Sequence, residues 1–223
     1  MTAQVQVYTV DVPAYCSHAD IMERYLRPEC GSLPVSEWLT ALPNLKDLRL
    51  IAVGCTITKA CSQLTNLALL TYEDWGPFCV VIEEGALVGL KSLILQDSVT
   101  ALAPAIVAAS QLKNLCIFNP ASPAVDARGL ECLPGLTGLT LESCELRAPP
   151  EGLSCLMALK VLDVSGNYEL GSAVMAAWEP LRGLSRLTAL NLAYCNLEQL
   201  PPAVAELPSL RVRLRKSQGG SGV

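Results

Sequence analysis

Residues 136–146 read LTGLTLESCEL, a stretch in which leucine recurs after three, two and five residues. The same pattern returns in LKVLDVSGN at residues 159–167 and in LTALNLAYCNL at residues 187–197. The copies begin 23 and 28 residues apart and share the template LxxLxLxxCxL, with asparagine in the cysteine position of the second copy. Tandem copies at such a spacing are the sequence signature of a protein built from stacked repeats.

Weaker copies of the template precede and follow these three. With them included, the units begin at residues 45, 67, 90, 115, 136, 159, 187 and 210. Because one unit cannot bury its own apolar side, we predict an α/β solenoid of about eight stacked units over residues 41–216. Residues 1–40 are expected to form an N-terminal capping segment, and the Gly- and Ser-rich residues 217–223 a flexible tail.

Each unit is expected to contribute one short strand. Side chains alternate along a strand, so the template leucines point into the core and the residues between them point outward. A buried leucine contributes ~1.5–3 kcal/mol to stability. Alanine-rich segments at 103–112 and 172–178 predict short helices between strands. The proline pairs at 149–150 and 201–202 instead predict tight returns that are either extended or a single turn.

The position after each strand must turn the chain while it stays buried. A small polar side chain there can bond backbone groups that would otherwise be unpaired, so we predict this role for Asn167 and, less strongly, for Cys144, Cys195 and Ser98. The chain has ten cysteines, no CxxC pair and one histidine, which makes a structural zinc site improbable. The cysteines are therefore interpreted as reduced, small buried hydrophobes and turn formers.

Residues 195–207 read CNLEQLPPAVAEL, which resembles the intracellular plant- and algal-type repeat of the leucine-rich-repeat family. The resemblance to this family extends over about residues 33–215. It implies a horseshoe similar to that of ribonuclease inhibitor, with a curved parallel sheet on the concave face and short helices and turns on the convex face. It also implies a non-enzymatic protein-interaction scaffold that binds its partner through the concave strand face.

Composition narrows the function classes. A net charge of −5 argues against a nucleic-acid partner, which requires a basic surface. The opening segment lacks the basic start of a secretory signal, and the longest uncharged run, at 98–112, is too short to span a bilayer. We therefore expect an intracellular, cytoplasmic protein, with the cytoskeleton or the ciliary axoneme as the alternative location.

Catalytic machinery is not evident in the sequence. Cys16 and His18 are the one place where a nucleophile and a base lie close together, and the rest of a catalytic constellation is missing. No glycine-rich phosphate loop is present. We expect no catalytic residue, cofactor, metal or small-molecule substrate.

The outward strand positions are the leading candidates for partner binding. Acids outnumber bases among them, which favours a partner protein with a basic or polar surface, and Tyr194 is a candidate contact anchor. A polar outward face is also what solubility alone requires, so this interpretation stays open. The expected binding positions are Asp47, Arg49, Thr71, Glu73, Gln96, Asp97, Thr140, Glu142, Asp163, Ser165, Asn191 and Tyr194.

Two other function classes remain. Residues 33–43, LPVSEWLTALP, resemble the start of an F-box, which would make the chain a substrate-recognition adaptor of a ubiquitin ligase. Alternatively, the chain is a structural subunit, or a fragment, of a larger receptor or of a cytoskeletal or axonemal assembly. Trp75 and Trp178 lie in segments that break the repeat; each either protrudes as a contact or covers a gap in the core, and we favour the core.

Overall fold

The computed structural model describes residues 46–51, 55–70, 80–96, 104–118, 127–207 and 210–213. The predicted cap, the tail, the F-box-like segment at 33–43, Ser98, Cys16, His18 and Trp75 lie outside these residues.

Ten short strands are present in the described residues, and eight of them form a single parallel sheet. Its order is β1-β3-β5-β6-β7-β8-β9-β10, and β2 pairs with β4 in a separate parallel ribbon. Successive strands of the large sheet pair with each other, as in a stack of units that each add one strand. The strands are β1 (Asp47–Ile51), β2 (Cys55–Ile57), β3 (Asn66–Leu70), β4 (Val80–Ile82), β5 (Ser92–Gln96), β6 (Asn114–Phe118), β7 (Gly138–Glu142), β8 (Val161–Asp163), β9 (Ala189–Asn191) and β10 (Arg211–Arg213).

A ladder of leucines runs through the centre of the sheet. One leucine of each strand pairs with its counterpart in the next, and Val212 of β10 pairs with the last of them. All of these leucines are buried in one continuous core. The ladder consists of Leu48, Leu67, Leu93, Leu115, Leu139, Leu162 and Leu190. The predicted leucine-rich-repeat solenoid is thereby confirmed.

Short helical segments return the chain between strands and contribute buried side chains to the same core. The α-helices α1 (Pro104–Val107) and α2 (Pro202–Ala205) have four residues each. Around 172–178 the predicted helix is a 3₁₀ helix, in which Trp178 is buried as expected and Pro180 lacks the N–H that an α-helical interior needs. The 3₁₀ segments are Lys59–Gln63, Leu130–Cys132, Glu151–Cys155, Tyr168–Ser172 and Met175–Gly183.

The register of three units differs from the sequence prediction. Leu67 pairs with Leu48 and so occupies the fourth template position, which places the start of that unit at Leu64 rather than at 67. By the same pairing, the unit predicted at 115 starts at Leu112. Leucine or phenylalanine recurs every three residues in both segments, so the sequence allows two registers, and strand pairing selects one. The last unit is displaced by one residue, because Val212 pairs with Leu190.

Asn167 has the turn role predicted for it. Its side chain is fully buried, and its amide oxygen accepts hydrogen bonds from the backbone N–H groups of Cys144 and Leu146 at 2.9 and 3.0 Å. Its amide nitrogen donates to the carbonyl oxygens of Leu141, Val164 and Ser165. One side chain therefore satisfies backbone groups of two successive units, which would be costly to bury unpaired.

Cysteines occupy the equivalent position in the neighbouring units. The thiol of Cys195 donates to the carbonyl oxygen of Val164 at 3.1 Å, and that of Cys144 donates to the carbonyl oxygen of Glu142 at 3.4 Å. Burial raises the pKa of Cys144 to about 12 and that of Cys195 to about 11, so both thiols stay protonated.

The prediction of buried cysteines is wrong at two other positions. Cys61 is buried like Cys144 and Cys195, but Cys132 and Cys155 are exposed. Both follow the buried leucine of a 3₁₀ segment by two residues, and so they lie on the outer side of the return. Counting cysteines could not distinguish the two environments, since these segments follow no strand alternation.

The register can be tested by paired substitutions in β7. Leu139 is 1% exposed and Thr140 is its half-buried neighbour on the opposite side of the strand. Leu139→Ala should lower the free energy of unfolding by ~2–5 kcal/mol, as truncation of a buried leucine does. Thr140→Ala should change it by less than ~0.5 kcal/mol. Denaturant melts of both variants measure the two values, and equal losses would contradict the register.

The turn bonds of Asn167 can be tested by truncation. Asn167→Ala leaves backbone donors and acceptors of two units without partners, and each costs ~1–3 kcal/mol when buried. We expect a total loss of at least ~3 kcal/mol in thermal or denaturant unfolding. Asn167→Cys, the residue of the neighbouring units, is the matched control and should lose less because the thiol retains a donor. Equal losses in both variants would show that the amide bonds are unimportant.

The cysteine environments predict selective alkylation. In the native protein at neutral pH, iodoacetamide should modify Cys132 and Cys155 rapidly, whereas Cys61, Cys144 and Cys195 react only after unfolding in guanidinium. Peptide mass spectrometry at increasing reaction times assigns each site. Native-state modification of Cys144 as fast as that of Cys132 would contradict the burial described above.

Candidate functional site

Alternate residues of the sheet point away from the leucine core, and we call the surface that they form the outer face. Strand pairing aligns the central outward positions of six strands, β3 and β5 to β9, in one row. This central row consists of Ala68, Ile94, Cys116, Thr140, Asp163 and Asn191. All six side chains are half-buried. The row is the part of the outer face where neighbouring strands bring their outward side chains together.

Five of the predicted binding residues lie on this face. Thr140, Asp163 and Asn191 belong to the central row, and Gln96 and Glu142 end their strands on the same side. Glu142 is exposed, and Gln96 is half-buried.

Two further predicted residues lie just beyond their strands. Ser165 follows β8 and is 7% exposed, so it is largely unavailable to a partner. Tyr194 follows β9 in the turn and is 38% exposed. The outward alternation therefore ends with the strand, and the turn decides the environment of each residue that follows.

The remaining five predicted positions have no described side chain. Asp47 and Arg49 lie in β1 on either side of Leu48, but their side chains are not among those described. Thr71, Glu73 and Asp97 lie outside the described residues. The outward positions of β3 with described side chains are Asn66 and Ala68, three or more residues before Thr71, as the corrected register requires.

Asp163 is the centre of a hydrogen-bond network between β8 and β9. Its Oδ1 accepts from the backbone N–H and the hydroxyl of Ser165, at 2.9 and 2.6 Å. Its Oδ2 accepts from the amide nitrogen of Asn191 at 2.8 Å, and Asn191 Oδ1 accepts from the N–H of Ala193. The carboxylate is thus held in one orientation and ties together the turns of two units.

Glu142 lies in the preceding strand and is less restrained. Partial desolvation raises the pKa of its carboxyl above the ordinary value, and the negative charge of Asp163 adds to the rise. Among the described residues, no cation forms a salt bridge with it. Two acids on adjacent strands therefore leave a local excess of negative charge on the outer face.

The other half of the face is apolar, which the sequence analysis missed. The central row continues from Thr140 through Cys116, Ile94 and Ala68, and half-buried Phe118 lies beside Cys116 at the end of β6. The correct register would have revealed Ala68, Cys116 and Phe118, because it makes Leu67, Leu115 and Ile117 the inward residues. Ile94 alternates with Leu93 and Leu95 in the predicted register as well. The outer face therefore combines an apolar part on β3, β5 and β6 with an acidic part on β7–β9.

A cavity of about 260 Å³ opens at the acidic end of the face. Glu142 and Asn191 line it from the strands, Ser143 and Gly166 from the turns, and the partly exposed Tyr168 and Tyr194 also contribute. Three successive turns use left-handed backbone at the same position: Ser143 (φ 54°), Gly166 (φ 74°) and Tyr194 (φ 59°).

Glycine is required in the middle turn. A Cβ on Gly166 would lie 2.4 Å from Ser143 Oγ, and left-handed backbone is itself unfavourable for other residues. Tyr168 and Tyr194 line the cavity although neither is in a strand: Tyr194 lies in a turn, and Tyr168 begins a 3₁₀ segment. Tyr168 was not predicted, because no strand pattern includes it.

Chemistry at this site is limited by its side chains. Within the parts of the chain that the structure describes, no three His, Cys, Asp or Glu side chains converge as metal ligands. The thiol of Cys116 on the face has a raised pKa because it is desolvated, so it is not an activated nucleophile. Over the same described residues, none of the helices has the length and apolar character needed to cross a membrane.

Comparisons with known proteins identify one repeat in the sequence. Residues 186–207 match the family model described as Leucine Rich Repeat. Among solved structures, an internalin from Listeria monocytogenes is similar with a TM-score of 0.43 and 16% sequence identity, covering 80% of this chain and 69% of that chain. No curated protein matches this chain.

The matched segment includes β9 and α2, a complete strand-and-return unit of the stack. Its leucines Leu190 and Leu192 are buried, and Cys195 forms the turn bond that Asn167 forms one unit earlier. By fold, this protein is a leucine-rich-repeat solenoid.

Proposed function

We propose that the protein is a non-enzymatic scaffold that binds a partner protein through the outer face of its sheet. The observation that carries this proposal is the apolar part of that face. Ile94, Cys116 and Phe118 lie in the strands at positions that alternate with buried core residues, and their side chains are only half-buried. A face that only meets water gains nothing from such residues, whereas a partner that covers them gains free energy from their burial.

The acidic part adds specificity to the apolar part. Outward positions from β3 to β9 include Glu142 and Asp163 and no lysine or arginine. A surface of this kind favours a partner whose contact region is apolar at one end and basic at the other. Extended faces of this type are the usual binding surfaces of solenoid proteins. No separate observation favours a catalytic role.

Binding through the outer face is compatible with each of the cellular roles that the sequence left open. An F-box-like adaptor or a subunit of a receptor, cytoskeletal or axonemal assembly could use the same face. We propose an intracellular location, since the six cysteines whose side chains the structure describes, Cys61, Cys116, Cys132, Cys144, Cys155 and Cys195, are free. The identity of captured partners separates these versions of the function.

Site-specific photo-crosslinking tests the face directly. Benzoylphenylalanine in place of Phe118 should cross-link a partner in cells, whereas the same group in place of Met157, which is 54% exposed after a 3₁₀ return, should not. Cross-linked proteins are identified by mass spectrometry. Equal cross-linking from both positions would overturn the proposal. A cullin-linker subunit among the products would favour the ligase adaptor, and recovery only in a large insoluble complex would favour the structural role.

Matched charge variants provide the quantitative control. The double variant Thr140→Arg, Glu142→Lys changes the outer face, and Ser154→Arg, Glu151→Lys makes the same charge change on an exposed 3₁₀ segment. We expect the first to weaken binding of the cross-linked partner at least ~tenfold and the second to leave it nearly unchanged. Circular dichroism confirms that both variants fold. Equal weakening in both would show only a nonspecific effect of charge.

A further inference from the structure

We propose that the cavity beside β7–β9 receives an arginine side chain of the partner protein. This inference rests on the proposed function, because Glu142 and Asn191 belong both to the outer face and to the cavity wall. The cavity is therefore continuous with the surface on which the partner would lie. It would act as the anchor point at the acidic end of that surface.

The size of the cavity suits one side chain. Its volume of about 260 Å³ is below the ~300–1,000 Å³ that is typical of sites for whole small-molecule ligands. Its walls include the turns at Ser143 and Gly166, whose backbone groups are already bonded to neighbouring units. The N–H of Ser143 donates to Ser165, and the N–H of Gly166 donates to Ala193. These walls are consequently held in place before a partner arrives.

The charge of the cavity favours a cation. Glu142 lines it without a salt-bridge partner, and neither lysine nor arginine is among its lining residues, within the part of the chain that the structure describes. Asp163 lies close enough to destabilise the charged form of Glu142, and its orientation is held by Ser165 and Asn191. A positive group in the cavity would therefore gain from both carboxylates and relieve their repulsion.

The aromatic walls favour arginine over lysine. Tyr168 is 55% exposed and Tyr194 38% exposed, so both rings keep accessible surface at the cavity. A guanidinium group is flat, weakly hydrated and able to stack on aromatic rings while donating to a carboxylate. An ammonium group is compact and strongly hydrated, so it gains less from such walls.

The test uses small probes, because no partner needs to be known. N-acetyl-arginine amide is titrated into protein with ¹³C-labelled tyrosine rings, and the NMR signals are assigned with Tyr168→Phe and Tyr194→Phe. We expect saturable shifts of both ring signals in the millimolar range. N-acetyl-citrulline amide has the same shape without the charge and should bind roughly two- to fivefold more weakly or not at all.

Variants locate the binding. Glu142→Gln and Tyr168→Ala should each weaken arginine binding roughly two- to fivefold. Glu151→Gln removes an equal charge from an exposed position away from the cavity and should leave binding unchanged. Equal binding of arginine and citrulline would overturn the proposal. Equal loss in the Glu142 and Glu151 variants, or no shift of either ring, would also overturn it.

The two proposals fail differently. If the arginine probe does not bind while outer-face variants still lose the cross-linked partner, the scaffold function stands and the arginine site is wrong. If Phe118 and Met157 cross-link equally while the probe binds as expected, the cavity holds a cation but the outer face is not the docking surface.

Discussion

Everything in this fold depends on a unit's inability to bury its own leucines. A strand with two inward leucines and a short return has one apolar side, and only another unit of the same shape can cover it. Stacking in register therefore places Leu48, Leu67, Leu93 and their successors in a single ladder through the sheet. Parallel strands, short returns and a continuous core all follow from that requirement.

Stacking also buries the turn after each strand against the turn of the next unit, so the backbone N–H and C=O groups of these turns need hydrogen-bond partners. The Asn167 amide satisfies backbone groups of two units through hydrogen bonds. Cys144 and Cys195 each have only a thiol donor there, and their hydrogen bonds are longer. The same turns bring left-handed residues to one edge of the sheet, and the cavity with its two tyrosines lies there. The candidate site is thus formed by the same turns that provide hydrogen bonds to the buried backbone.

The outer face acquires its character from residues that are far apart in sequence. Asp163 and Asn191 are 28 residues apart, yet they share a hydrogen bond because their strands pair. Thr140 and Cys116 are neighbours for the same reason. An apolar part and an acidic part arise side by side only once the units are aligned. The proposed binding surface includes both parts.

Much of the fold could be predicted from the sequence, and the limits have physical causes. The template in residues 136–146, 159–167 and 187–197 predicted strands, inward leucines and the turn role of Asn167, because these are local consequences of side-chain alternation and backbone bonding. It failed at 67 and 115, where leucine or phenylalanine recurs every three residues and local pattern allows two registers. It also failed for exposed Cys132 and Cys155, whose returns follow no strand alternation.

By itself, then, the sequence determined that this chain is a stack of leucine-rich units whose outward strand positions carry more acids than bases. Only the tertiary structure decided which residues of different units meet. Pairing chose the register, moved Ala68 and Cys116 onto the outer face, buried Ser165 against Asp163 and brought Tyr168 to the cavity. The reason is that a unit encodes its own inward and outward sides, whereas a surface shared by several units depends on how they align.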